Sequence, residues 1–462
     1  MTATKPSGLG RASAVLLAFG SIAGSGILSL PSAVYAQSGS GCLLVWAVAA
    51  LLCLPMLVMF RDAMGLSGGG DAVQVLVSRG LRPWVGAAMP LMFLFVVVVG
   101  LPTGCAVAGR YVERGLGWGG GGAVVAGALL ALALGANLAG ARAGTLVQLA
   151  GGAALVTTGL VLVAAGSWDA PRPLDVVPSG AIGETLLPGV LLAFWAFVGF
   201  ENLTFLGRDL ADPRRHFLPV SAVALGLYGG FAVALTLAVS VRADQHSVDP
   251  VAGLLELATS PALQGLVAVV AAAAMLINAA AWVRGIDSLL AGSSRNGSLP
   301  RVFGASAWAR TALLAALFTA TLATLAADPS LTVDALAASS AVFVLIYLVC
   351  IVSYVRSHGP SARTVANLAL VPVMAAALVQ SGTRSVYGIL VAAGCLAWSR
   401  TRARNGPGGS PNPQRNPSEA LSGPRRTLAG AAAQRRRAVS PRPSGPQDQE
   451  GPRAPYRGVR EP

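Results

Sequence analysis

The feature that most constrains this chain is a succession of apolar runs, each long enough to cross a bilayer. A helical run of 18 or more apolar residues spans the hydrocarbon core of about 30 Å. About twelve such runs follow one another, at approximately 11–36, 43–65, 84–109, 121–140, 145–166, 186–209, 218–241, 262–290, 311–327, 333–355, 364–381 and 384–400. Lipid offers no partner for backbone N–H and C=O groups, so runs of this length must be helices. The expected fold class is an all-α polytopic membrane protein with 12 transmembrane helices. Charged residues are only 11% of the chain, against about 25% in a typical soluble domain. That composition excludes an ordinary water-soluble enzyme, a disulfide-stapled secreted module and a disordered polymer. The first run is too long for a cleaved leader and leads straight into the second, so it is expected to stay in the membrane.

Arginine placement predicts orientation, because short cytoplasmic loops collect Lys and Arg. With a cytoplasmic N-terminus, 15 cationic residues from Lys5 to Arg363 fall on the cytoplasmic face and five (Arg110, Arg114, Arg172, Arg242, Arg384) on the other. Both termini are then cytoplasmic, which needs an even number of spans and points to the plasma (inner) membrane. Residues 401–462 carry 12 Arg, 11 Pro and one aromatic, Tyr456. Such a segment cannot bury enough apolar surface to fold and is expected to be a disordered cytoplasmic tail. The expected organisation is a short N-terminus (1–10), spans one to five (11–166), spans six to ten (186–355), two further spans (364–400) and the tail.

The five cysteines, Cys42, Cys53, Cys105, Cys350 and Cys395, are scattered through apolar runs, and the three histidines fall in loops. Neither a disulfide framework nor a metal site is expected from such spacing. No cofactor and no nucleic-acid partner is expected.

Two spans break helical rules near their middle. The first reads FGSIAGSGILSLP (Phe19–Pro31), with Gly20, Gly24 and Gly26 clustered beside Ser21 and Ser25. The sixth reads LLAFWAFVGFENLTFLG (Leu191–Gly207), placing Gly199 and Glu201 at mid-membrane. Each interior glycine costs a helix about 1 kcal/mol. Irregular backbone at membrane depth is tolerated only where it lines a protein-enclosed cavity. Interrupted helices at matching positions of two halves point to a transporter built from inverted repeats, here spans one to five and six to ten. The N–H groups of about Ala23–Ile27 would suit a carboxylate, and freed carbonyls would suit an ammonium. One small zwitterion, an α-amino acid, satisfies both. The other reading of the glycines is close helix packing, since Gly20 and Gly24 have small-xxx-small spacing.

These residues resemble the amino acid–polyamine–organocation (APC) superfamily of amino acid permeases. Gly24-Ser25-Gly26 resembles its first-helix substrate loop, and Phe194–Glu201 (FWAFVGFE) its sixth-helix core. Asp212-Pro213-Arg214-Arg215 with Pro219 is similar to its "NPxR…P" turn, the stretch from Ser67 to Gly86 to its loop after helix two, and Asn296-Gly297 with Pro300 to its "DGxxP" loop. The likeness runs in order over about residues 11–400. The helix-three "VGLP" (Val99–Pro102) and the run Asp334–Val355 look most like a bacterial branch that exports methionine and branched-chain amino acids.

The resemblance implies a 5+5 inverted-repeat fold with helices one and six interrupted, plus two extra C-terminal helices. It places Ser21, Ile22, Ala23, Gly24, Ser25 and Gly26 around the substrate's head group. Trp195, Phe197, Val198 and Trp282 would face its side chain, with Glu201 in proton coupling or gating. Gly207-Arg208-Asp209 departs from the acidic pair common before the "NPxR" turn, and helix five has no Lys, so a lysine mimicking sodium is absent.

Several residues keep two readings. Glu201 is either a proton carrier or a hydrogen-bonded brace, and Trp195 either stacks on substrate or packs as an ordinary aromatic. Arg284 and Asp287 are expected to form an i,i+3 ion pair. Span three has no charge before Arg110 and span ten none between Asp334 and Arg356, so the substrate side chain is expected to be neutral and apolar. The expected activity is secondary transport of methionine or branched-chain amino acids by alternating access, with protons as driving ion and export as direction. An exchanger or importer of other specificity is the alternative; a channel or membrane-embedded enzyme is more remote.

Overall fold

The computed structural model describes residues 25–67, 71–139, 182–197, 213–242 and 246–405, with Val15, Phe19, Ile22, Gly199 and seven positions between 153 and 164. Within these ranges the side chains of 25, 67, 182, 183, 213–215 and 405 are excepted. The chain divides at Gly406 into two units, and every element below belongs to the first. All regular structure among the described residues is helical.

Helix α1 (Ser25–Ser38) reaches a single 3-10 turn, Gly39–Gly41, and α2 (Cys42–Ser67) follows at once. Gly39 takes φ 50°, a left-handed conformation that glycine adopts freely and that turns the chain between the two helices. The short α3 (Ala72–Gly80) starts on Asp71, whose Oδ1 accepts from the N–H groups of Val73 and Gln74. Helix α4 (Pro83–Gly115) begins with a proline at its first position, where no N–H is needed. Then come α5 (Gly122–Ala139), α6 (Ile182–Phe197), α7 (Pro213–Arg242) and a 3-10 turn at Gly253–Leu257. Helix α8 (Pro261–Arg295) is capped by Ser260, and after α9 (Val302–Ala305), α10 (Ala307–Ala327) is capped by Ser306. The last group is α11 (Leu331–His358), α12 (Ala362–Leu368), α13 (Val371–Gln380) and α14 (Thr383–Asn405). The expected span 364–381 is one apolar stretch, Ala362–Gln380, with a two-residue turn between α12 and α13. Pro372 has no N–H to donate to the Leu368 carbonyl four residues before it, and the turn at residues 369–370 lies between the two.

Among the described residues, eight helical stretches are long and apolar enough to cross a membrane. One of these, Gly26–Leu66, includes the 3-10 turn and both α1 and α2. The shorter α6 and the arginine-ended α14 fall outside that group, and the expected span 145–166 lies largely outside the described residues. The described residues are therefore those of a helical, multi-pass membrane protein. Its outer surface fits that reading. Leu51, Leu54, Val124, Leu132, Val269, Val379 and Leu390 are all more than half exposed, an apolar coat suited to lipid rather than water.

Helix α4 is the axis of the bundle. It packs against α3, α5, α8, α10, α11 and α14, and most of its residues are buried. Helix α3 crosses α11 so closely that a Cβ on Gly80 would stand 2.1 Å from the Ser353 carbonyl oxygen. At the same end, Tyr354 donates to Asp62 at 2.7 Å, and Arg61 and Arg363 also engage that carboxylate. The expected pairing of Asp287 with Arg284 is not what occupies this carboxylate. Arg310 takes both oxygens, Nε to Oδ1 at 2.6 Å and Nη2 to Oδ2 at 3.1 Å, and also donates to the Phe303 carbonyl. Arg310 approaches from another helix, so it can meet the carboxylate with both prongs of its fork.

Candidate functional site

Helix α6 stops at Phe197, and Gly199 takes φ 125°. L side chains rarely adopt that conformation, so the turn depends on glycine. The described part of the sixth apolar run thus ends in a turn four residues after Trp195. In the first run, Ile22 is buried and Gly26 lies in the first turn of α1. Ser21, Ala23 and Gly24 lie outside the described residues, as do Val198, Glu201 and the side chain of Ser25.

Trp195 and Trp282 meet at one cavity. Its walls are Val96, Val97, Gly100 and Leu101 of α4, Trp195 of α6, and Asn278 and Trp282 of α8. Its free volume is about 20 Å³, room for one water at most. Gly100 makes this closure possible, since a Cβ there would lie 2.2 Å from the Trp195 ring. Phe343 of α11 backs both indoles, at centroid distances of 5.8 Å to Trp195 and 5.9 Å to Trp282. Phe93 and Tyr347 extend the aromatic wall. No charged side chain lines this cavity among the described residues; Asn278 is its one strongly polar group.

Phe197 sits elsewhere. It packs edge-on against Trp46 at 5.9 Å and Tyr228 at 5.8 Å, away from the cavity walls. Gly26 is held in the same neighbourhood: a Cβ there would meet the Tyr228 hydroxyl at 2.7 Å and the Ala196 Cα at 3.5 Å. Helices α1, α6 and α7 thus converge where the glycine-rich backbone was expected to bind. The Tyr228 hydroxyl is buried and has no hydrogen-bond partner among the described residues. Leaving such a group unsatisfied costs about 1–3 kcal/mol, so a polar group arriving beside Gly26 would find a donor waiting.

Gly100, Tyr228, Asn278 and Phe343 were not singled out in the sequence. Each lies inside an apolar run. The signal that could have found Asn278 is its isolation, an amide among the alanines of span eight.

The sequence of an amino acid permease family model matches residues 9–397. The chain belongs to the amino acid permease family. Permeases are by their name membrane transporters rather than enzymes. Among similar proteins is the L-methionine/branched-chain amino acid exporter YjeH of Escherichia coli, 28% identical over 231 residues. That match covers 48% of this chain and 53% of the exporter, about half of each. Uncharacterized transporters of Mycobacterium bovis and Mycobacterium tuberculosis are each 28% identical over 309 residues, covering 63% of this permease and 67% of theirs.

Proposed function

We propose that this permease moves neutral, apolar α-amino acids of the methionine and branched-chain type by alternating access, coupled to protons and in the export direction. The observation that carries the reading is the cavity between Trp195 and Trp282, which no charged side chain lines among the described residues. An ionic side chain would lose its hydration there with no partner to replace it. A thioether or branched aliphatic chain loses nothing and gains contact with two indoles. The similarity to a methionine and branched-chain exporter supports the same substrate class.

In this reading the molecule has 12 spans, with repeats at 11–166 and 186–355, the helices of 364–400 added outside, and both termini cytoplasmic in the plasma membrane. Backbone around Ser21–Gly26 holds the substrate's carboxylate and amine, and the Tyr228 hydroxyl donates to the carboxylate. Trp195 and Val198 cover the side chain, and Trp282 closes it from α8. Glu201 carries the coupling proton. A cavity the size of one water is a closed arrangement, so Trp195 must swing off Gly100 before substrate enters. Rocking of the first and sixth helices against the scaffold would supply that movement.

Counterflow in proteoliposomes tests the proposal. Vesicles preloaded with unlabelled methionine or leucine should accumulate the labelled compound, and a pH step should change the rate. Exchange confined to charged amino acids would replace this substrate class with another; no exchange with any amino acid would end the reading.

A further inference from the structure

A second cavity, of about 410 Å³, opens where α4 ends, bounded by α5, α10 and the loop after α7. Arg110, Glu113 and Arg114 all line it. Its remaining walls are largely apolar, with Val251, Leu322 and Leu325 among them. The arginine bias assigns this end to the outside.

The charges are arranged unequally. Asp249, nearly buried, spends its whole acceptor capacity: Oδ1 takes the N–H groups of Val251 and Ala252, and Oδ2 takes Arg110 at 3.1 Å together with Arg114. One carboxylate therefore serves two guanidiniums, each of which keeps further N–H donors. Glu113, between them in sequence, forms no ion pair among the described residues. Its Oε1 accepts from the Gly120 N–H at 3.0 Å. Its Oε2 takes no hydrogen bond and lies beside Gly122, where a Cβ would stand 2.5 Å away. The cavity thus presents surplus cationic donors, an anionic acceptor without a cation, and an aliphatic wall.

We infer that this cavity is an outer binding site for a zwitterionic, aliphatic α-amino acid, distinct from the cavity at Trp195. The carboxylate engages Arg110 and Arg114, the ammonium engages Glu113, and the side chain lies along Leu322 and Leu325. A volume of about 410 Å³ is within the range that encloses small ligands. The ligand carboxylate competes with Asp249 for the same guanidiniums. Asp249 anchors the loop whose Gly253 rests on α1, so close that a Cβ would be 2.7 Å from Ser32 Cβ. Occupancy therefore loosens the loop that lies over α1. The site rests on the amino-acid reading above, and it adds a capture step at the mouth.

Equilibrium binding of labelled leucine to the purified full chain tests it. The wild type should bind two molecules per chain. Glu113→Gln keeps an acceptor for the Gly120 N–H, so the fold is retained, and it should bind one. Gly26→Leu, which obstructs the central site, should also bind one, and adding Glu113→Gln to it should remove that one. Asp249→Asn should tighten the outer site about tenfold, since a charge-assisted competitor is weakened. One molecule per chain, abolished by Gly26→Leu and indifferent to Glu113→Gln, would overturn the outer site and leave the transport proposal standing. An unchanged affinity in Asp249→Asn would overturn the competition with the loop. Absence of leucine binding together with absence of counterflow would remove both.

Discussion

The cavity at Gly100 and the cavity at Arg110 are served by the same helix, ten residues or about 15 Å apart along α4. Their chemistry is opposite. Near Gly100 the walls are two indoles, aliphatic side chains and one amide, around about 20 Å³. Near Arg110 they carry three charges around about 410 Å³. The difference follows depth. An unpaired charge at the middle of a bilayer costs a few kcal/mol or more, whereas at the rim water repays most of that. A helix that serves both places can recognise charge only at its end, and must use backbone, ring faces and neutral polar groups at its middle.

The largest expected effect breaks the central half of this comparison. Gly26→Leu places a side chain where even a Cβ stands 2.7 Å from the Tyr228 hydroxyl. Central binding and counterflow should be lost while the protein still inserts and elutes as a folded species. Retained counterflow would mean that the backbone of α1 is not the head-group site.

A smaller effect sharpens the neutral-donor half. Tyr228→Phe removes a buried hydroxyl that has no partner among the described residues. Thermal stability without substrate should hold or rise, because nothing bonded is lost. Central affinity should fall about tenfold, the worth of one hydrogen bond to a charged group. A drop in stability with unchanged affinity would make Tyr228 a packing residue.

The smallest effect lies at the other end of the bundle, outside the spans. Burial pushes the Asp71 carboxyl up to about 6, against two backbone N–H groups that favour its charge. The folded state thus holds its proton more tightly than the unfolded chain, with an ordinary value of 3.8. Its contribution to stability is complete below pH of about 4 and is lost as pH rises through about 6. Asp71→Asn keeps a cap acceptor without the charge. Its melting temperature should exceed the wild type by a few degrees at pH 7.5, and the gap should close in acid. A constant gap would assign the effect to something other than this proton.

Much of the architecture was legible because hydrophobic length and proline are local signals. Pro83 and Pro261 mark helix starts, and Gly199 marks the end of α6. Trp195 and Trp282 could be nominated by their place in the motifs, and the structure brings both to one cavity. Phe197 could not be separated from them by sequence, since its direction depends on where α6 turns and which ring, Tyr228, waits opposite. Gly100, Phe343 and Tyr228 sit in runs buried on several faces, where periodicity no longer distinguishes a wall from a filling. Asp287 shows the same limit for charges. Its neighbour three residues away was the obvious partner, but its actual fork, Arg310, lies 23 residues on. The pairing of Asp249 with Arg110, 139 residues apart, carried no local sign at all.

Helix α4 has 33 residues, about 50 Å of rod for a hydrocarbon slab of about 30 Å. Such a rod leans, and a lean answers to the thickness of the surrounding lipid. Thinner membranes would tip α4 further, carrying Gly100 sideways beneath Trp195 and lowering Arg110 toward the headgroups in a single movement. If both chambers bind as proposed, their grip would follow the lipid chain length in which the permease sits.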